Sequence, residues 1–156
     1  MEPKRKQARY RRLAEQLQPL LDKPAPMMSR LATVVAVLHH KMPEFFWTGF
    51  YLLHEQGLFV GPYQGPLACQ QLAYPNGVCW AGILQNKTLV VPDVHQFPGH
   101  IACDSRSNSE IVIPLRSQDG EVLGVLDIDS TSLAAFDDID ARELEAILKM
   151  LSQHLL

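Results

Sequence analysis

Two carboxylates close an apolar run late in the chain. The segment EVLGVLDID, residues 121–129, reads as a strand, which puts Asp127 and Asp129 on one face. Val125 and Leu123 share that parity, so the two acids follow apolar neighbours onto a side that looks core-facing. Buried acids are costly unless a cation meets them. Glu110 opens the neighbouring strand of the same hairpin, so three carboxylates can crowd at one hairpin end. Crowding raises at least one carboxyl pKa, which suits a proton donor. The plainer alternative is that both aspartates lie past the strand end, in water. Cys103 stands beside Asp104 and three residues after His100, in a long irregular segment. A histidine there can raise a thiol's thiolate fraction, or it can be a solvated loop residue. Thiolate and carboxylic acid together can attack an electrophilic centre and deliver a proton to its oxygen.

Cys69 and Cys79 complete a set of three cysteines, spaced by 10 and 24 residues. An odd count with no CxxC pair argues against a disulfide framework, a zinc site or a thioredoxin-type dithiol. Inert buried thiols and chemically used ones both remain open on this reading. Trp47 and Tyr51 lie at i and i+4 on an aromatic strand, on the face shared by Phe45 and Gly49. They form either an aromatic core or a hydrophobic box for a small ligand beside the gap left by Gly49.

The elements that must position these groups follow from periodicity. Leu13, Leu17, Leu20 and Leu21 share a helical face, with Pro19 inside the pattern and Pro24 and Pro26 ending it. Ser29 is placed to cap a second helix carrying Leu31, Val34, Val35 and Leu38, which Pro43 ends. Residues 45–53 and 58–63 read as a hairpin, and 69–74 as a further short strand. A turn at Pro75-Asn76-Gly77 leads to a short helix over 78–85, then a strand over 87–91. Residues 92–107 show no period and carry Cys103; loops this long are usually functional or mobile. Strands over 110–116 and 121–129 flank the Asp119-Gly120 turn, and Leu144, Ile147, Leu148, Leu151 and Leu155 mark a last amphipathic helix starting near Asp137 or Asp138. This is an α+β domain: an antiparallel sheet of four to six strands with helices on one face.

The chain has 156 residues, 47% hydrophobic and 20% charged, which fits one globular domain and excludes whole-chain disorder. No run of 18 apolar residues predicts a membrane span, and no secretory signal is expected, so a cytoplasmic protein is the expectation. The first twelve residues carry +5 and the remainder −8. An acidic body argues against nucleic acid as the main ligand, and the basic start reads most simply as a solvated helix end, with a nucleic-acid arm or targeting peptide as alternatives.

The segments FFWTGFYLL, VGPYQGPLACQ, PNGVCWAG, VPDVHQFPGHIACDSRSNSEIVIPL and GVLDIDS resemble the GAF-domain free methionine-R-sulfoxide reductases. The resemblance spans roughly residues 45–148, and the run DVHQFPGHIACDSRSNSEIV followed by GVLDIDS is more specific than a general GAF match. It implies a single GAF domain over residues 27–156, preceded by a basic helical segment over 1–26. The implied sheet is antiparallel, about six-stranded, with N- and C-terminal helices packed on one face. The implied activity is reduction of free L-methionine-R-sulfoxide to L-methionine. By resemblance, Cys103 attacks sulfur, Cys69 resolves the sulfenic acid as a disulfide, and Cys79 is the third member; competing assignments give Cys79 a direct part. Glu110, Asp127 and Asp129 would bind the substrate ammonium and supply the proton, and Trp47 and Tyr51 would wall the methyl sulfoxide. Thioredoxin would recycle the disulfide, with no metal or organic cofactor, no nucleic acid and no membrane; a homodimer is left open. Two positions depart from the family pattern: Trp80 follows Cys79 where glycine is usual, and Thr48 replaces a small residue. The alternative reading is a non-catalytic GAF module that senses a small ligand, and the blandest is a relic with inert cysteines.

Overall fold

The computed structural model describes residues 1–100 and 103–156; Ile101 and Ala102 of the GHIACD motif lie outside the described residues. Helix α1 (Pro3–Leu21) starts where the Glu2 side chain accepts hydrogen bonds from the Lys4 and Arg5 amides, with Pro3 at the first helical position. The helix runs through Pro19. That proline sits in the last turn on the exposed side, where one lost backbone bond is tolerated. Tyr10, Leu13, Leu17 and Leu21 form the buried stripe, whereas Leu20, grouped with them by sequence, is turned outward. Helix α2 (Met27–Lys41) begins two residues before Ser29, and its N-cap is Pro26. The Ser29 amide bonds the Pro26 carbonyl, so Ser29 lies within the first turn and is not the cap. The Arg30 guanidinium donates to the carbonyls of Leu21, Lys23 and Ala25, tying α2 to the end of α1.

The strands are β1 (Trp47–His54), β2 (Gly57–Gln64), β3 (Gln71–Leu72), β4 (Leu89–Val91), β5 (Ser109–Arg116) and β6 (Val122–Ser130). They form one six-stranded sheet in the order β3-β2-β1-β6-β5-β4, with antiparallel neighbours throughout. Helix α4 (Asp138–Ser152) opens with a capping box between Asp137 and Asp140. Strand alternation divides the interior in two. Phe50, Ile111, Ile113, Leu115, Leu126 and Ile128 face α1, α2 and α4 on one side. Trp47, Tyr51, Val112 and Val125 face the other, where α3 (Gly77–Gln85) contributes Val78, Cys79 and Trp80. The expected α+β arrangement therefore holds, with α3 packed on the second face. A Cβ at Gly82 would come within 2.8 Å of Val112 Cγ1, so glycine there lets α3 lie close on the sheet.

The basic start is only partly a solvated helix end. Lys6 is buried, and its ammonium donates to Asp140 at 2.8 Å and Asp137 at 3.2 Å. The Tyr10 hydroxyl donates to the other Asp140 oxygen at 2.6 Å. These contacts fasten α1 to the start of α4, and a buried carboxylate with two such partners is satisfied.

Candidate active site

Asp127 and Asp129 do project to one face, and β5 brings Glu110 opposite Asp129 and Val112 opposite Asp127. All three acids thus lie on the α3 side of the sheet. Glu110 and Asp127 are each only 5% exposed, so they are not solvated strand ends; Asp129 is half-buried. Leu123 does not share their surroundings. The pairing steps from Leu115–Gly124 to Arg116–Val122, and Leu123 packs against the helix-side core.

Helix α3 sets Cys79 over this end of the sheet. The Cys79 sulfur, a Glu110 oxygen and an Asp127 oxygen all lie within 4.8 Å of one another. Asp127 Oδ1 is buried with no hydrogen-bond partner among the described residues. Cys69 and Cys103 are joined by a disulfide across 34 residues, with Cα atoms 5.4 Å apart, and Cys79 is a free, buried thiol. The absence of a stapling framework anticipated from the odd count did not exclude this single bond, because spacing in sequence says nothing about two loops meeting in space.

Trp47, Tyr51, Cys79, Cys103 and the three acids line one cavity. The aromatic pair is stacked with centroids 5.7 Å apart, and Tyr63, which periodicity did not single out, also stacks on Trp47 at 5.3 Å. Gly49 leaves no gap: a Cβ there would collide with the Trp47 ring and Tyr63. Phe45, assigned the same face by parity, precedes β1 and belongs to the helix-side core. The Trp47 indole N–H donates to Pro66 O and the Tyr51 hydroxyl to Cys69 O, both at 3.0 Å, so the two aromatics also hold the segment carrying Cys69.

The loop carrying Cys103 is fixed from both ends. The Val94 amide bonds Asn108 O, the Asn108 amide bonds Ser130 O, and the Asn108 side chain donates to Thr131 O. Asp104 is held by Arg106 through two side-chain bonds at 3.0 and 2.7 Å, and Arg106 lies 4.9 Å over the Phe46 ring. The hydrogen bonds from Arg106 push the Asp104 carboxyl down to about 2. His100 lines the cavity, but burial and then His95 lower its pKa below the ordinary value. Of the two readings left open for His100, this shift weakens the one in which its positive charge promotes a Cys103 thiolate. Neither departure from the family pattern reaches the cavity. Trp80 donates to Leu72 O at 2.9 Å and meets Tyr74 edge-on, while Thr48 lies on the helix side, 3.0 Å from His39 Nδ1.

Burial raises all three acids. Glu110 and Asp129 are pushed well above the carboxylate range, by burial first and then by the Asp127 charge; Asp127 is raised by burial. Burial, followed by Asp127, Glu110 and Asp129, also pushes the Cys79 thiol well up. The site thus sets two carboxyls of raised pKa, Glu110 and Asp129, around Asp127 and beneath a thiol whose ionisation is disfavoured, and it leaves Asp127 Oδ1 without a hydrogen-bond partner among the described residues. Such a site suits a cationic group brought in by a ligand.

This arrangement has a stability signature. A carboxyl whose folded pKa exceeds its unfolded value, about 4.3 for glutamate, keeps a proton in the fold that the unfolded chain has released. The unfolded state then binds fewer protons, and stability falls as pH rises from there toward the raised pKa. Glu110→Gln removes this ionisation, and its amide can donate to Asp127 Oδ1. The ligand-free variant is expected to melt at a higher temperature than the wild type at pH 7–8, with a shallower decline from pH 5 to 8. Equal melting curves across that range would mean that Glu110 is not held protonated by the fold.

A GAF domain family model matches residues 29–155. The chain is 48% identical over 147 residues to GAF domain-containing protein A of Dictyostelium discoideum, covering 94% of this chain and 92% of that one. It is 41% identical over 128 residues to the free methionine-R-sulfoxide reductase of Escherichia coli, covering 82% and 77% of the two chains. It also superposes on the X-ray structure of free methionine-R-sulfoxide reductase from Neisseria meningitidis in complex with its substrate. That match has a TM-score of 0.90 and 42% identity, over 96% of this chain and 89% of the other. No described helix is long and apolar enough to cross a membrane.

Proposed function

We propose, since the chain belongs to the GAF-domain family of free methionine-R-sulfoxide reductases, that it reduces free L-methionine-R-sulfoxide to L-methionine. The observation that carries this reading is the buried acid cluster in the same cavity as Cys103, whose sulfur is bonded to Cys69. A domain that only senses a ligand has no need of that cysteine pair.

The substrate ammonium pairs with Glu110, Asp127 and Asp129, giving Asp127 Oδ1 the donor it lacks. The first turn of α3 also lines the cavity, and its N-cap Asn76 makes no side-chain cap bond, which leaves amides for the substrate carboxylate. Trp47 and Tyr51 wall the methyl sulfoxide. The Cys103 thiolate attacks the sulfoxide sulfur while a protonated acid of the cluster donates to its oxygen. Cys103 is oxidised by two electrons and keeps the oxygen as a sulfenic acid; methionine leaves. The Cys69 thiol then attacks the Cys103 sulfur, water departs, and the disulfide forms. An external dithiol, thioredoxin, exchanges it open, which places the protein in a reducing, cytoplasmic setting. A methionine sulfoxide within a polypeptide lacks the ammonium, and leaving the acids unpaired disfavours it.

The direct test is NADPH consumption in the presence of thioredoxin and its reductase, comparing free R- and S-sulfoxides. Consumption with the R form alone is expected; none with either form overturns the reading. The resolving role has its own test. Cys69→Ser is expected to release one equivalent of methionine per chain and then stop, with no cycling by thioredoxin. Normal cycling would show that another cysteine resolves the intermediate.

A further inference from the structure

We propose that Cys79, Glu110 and Asp127 form a binding site for a thiophilic divalent cation of the Zn²⁺ class. The three side chains come from α3, β5 and β6, yet one sulfur and two carboxylate oxygens converge within 4.8 Å of one another. All three are buried, and Asp127, at 5% exposure, has an oxygen with no hydrogen-bond partner among the described residues. No amide, hydroxyl or cationic side chain of the described residues donates to that oxygen; the protons that can reach Asp127 are those of Glu110 and Cys79, the two groups that would give them up to a cation.

The donor set selects the metal. Mg²⁺ and Ca²⁺ take six or more oxygens, whereas one thiolate with two carboxylates is a Zn²⁺ or Cd²⁺ set. Zinc bonds of about 2.3 Å to sulfur and about 2.0–2.2 Å to oxygen require the ligands to draw in by roughly 1 Å from their widest spacing. The fourth position faces the cavity and takes water. On binding, one metal–sulfur and two metal–oxygen bonds form. The thiol proton and any carboxyl proton leave to solvent, and no oxidation state changes. The spacing of the cysteines conceals this site, because each ligand lies on a different element and no two share a short motif. The site stands independently of the reductase reading; only its consequence depends on it, namely that the cation occupies the carboxylates meant for the substrate ammonium.

The test is a Cd²⁺ titration of the full chain with the Cys69–Cys103 disulfide intact, so that Cys79 is the free thiol. One Cd²⁺ per chain is expected, with an ultraviolet sulfur-to-cadmium charge-transfer band that Zn²⁺ displaces and Mg²⁺ does not. Cys79→Ser is expected to lose the band. Asp127→Asn is expected to keep it but to bind at least about tenfold more weakly. No band in the wild type overturns the proposal, as does a band that persists in Cys79→Ser. Wild-type affinity in Asp127→Asn overturns the three-ligand set even if Cys79→Ser does not fold. None of these readouts requires turnover, so an inactive protein that binds Cd²⁺ in this way would separate the two readings.

Discussion

Cys103→Ser is expected to abolish steady-state reduction of free methionine-R-sulfoxide. A hydroxyl is a far weaker nucleophile than a thiolate at neutral pH, and it cannot carry the oxygen as a sulfenic acid or enter a disulfide. The structure distinguishes Cys103 from Cys79, the other thiol in the cavity. Cys103 is exposed at the cavity, whereas burial first, and then the surrounding acids, push the Cys79 pKa well up. Attack through a Cys79 thiolate is therefore disfavoured, and Cys103, bonded to Cys69 and open to the cavity, is the better-placed nucleophile. Single-turnover methionine release measures the step directly. Release by Cys103→Ser at the wild-type rate would move the attack to Cys79, and the acids would then act on the nucleophile's own proton.

The acids were legible in the sequence because strand parity is a strict period of two. Asp127, Asp129 and Glu110 needed only the hairpin around Asp119-Gly120 to be brought together. The same rule failed at Leu123, where a register shift breaks the period, and at Phe45, which precedes the strand. The helix-side core was legible from heptad-like spacing in α1, α2 and α4. The side chosen by α3 was not: GVCWAGILQ is apolar nearly all round and has no face to declare. Contacts between distant residues left no local trace. Lys6 meets Asp140 across 134 residues, and Cys69 meets Cys103 across 34. For the cysteine pair, only the family resemblance supplied the partner.

Asp129→Asn and Glu110→Gln are each expected to lose about 10²–10⁴-fold in kcat/KM with free methionine-R-sulfoxide, the range of an acid–base group. Both keep shape and remove ionisation. Burial and then the Asp127 charge push both native carboxyls well up, which favours the protonated form and suits at least one of them to deliver a proton to the sulfoxide oxygen once the ammonium is bound. The ammonium favours ionisation of the remaining acids, which keeps one donor and one counter-ion in the same cluster. A loss of this size from Glu110→Gln, together with the higher melting temperature argued above, could not come from unfolding, because stability and activity would move in opposite directions. The substrate side gives a matching arm. N-acetylated methionine sulfoxide presents no ammonium, so the wild type should reduce it poorly, and the two variants should discriminate less between it and the free amino acid. If both variants keep nearly full kcat/KM and the acetylated substrate is reduced as fast as the free one, the cluster neither binds the ammonium nor donates the proton. The proton would then have to come from elsewhere in the cavity, where His100, whose pKa is lowered by burial and then by His95, is a weaker proton carrier than an ordinary histidine.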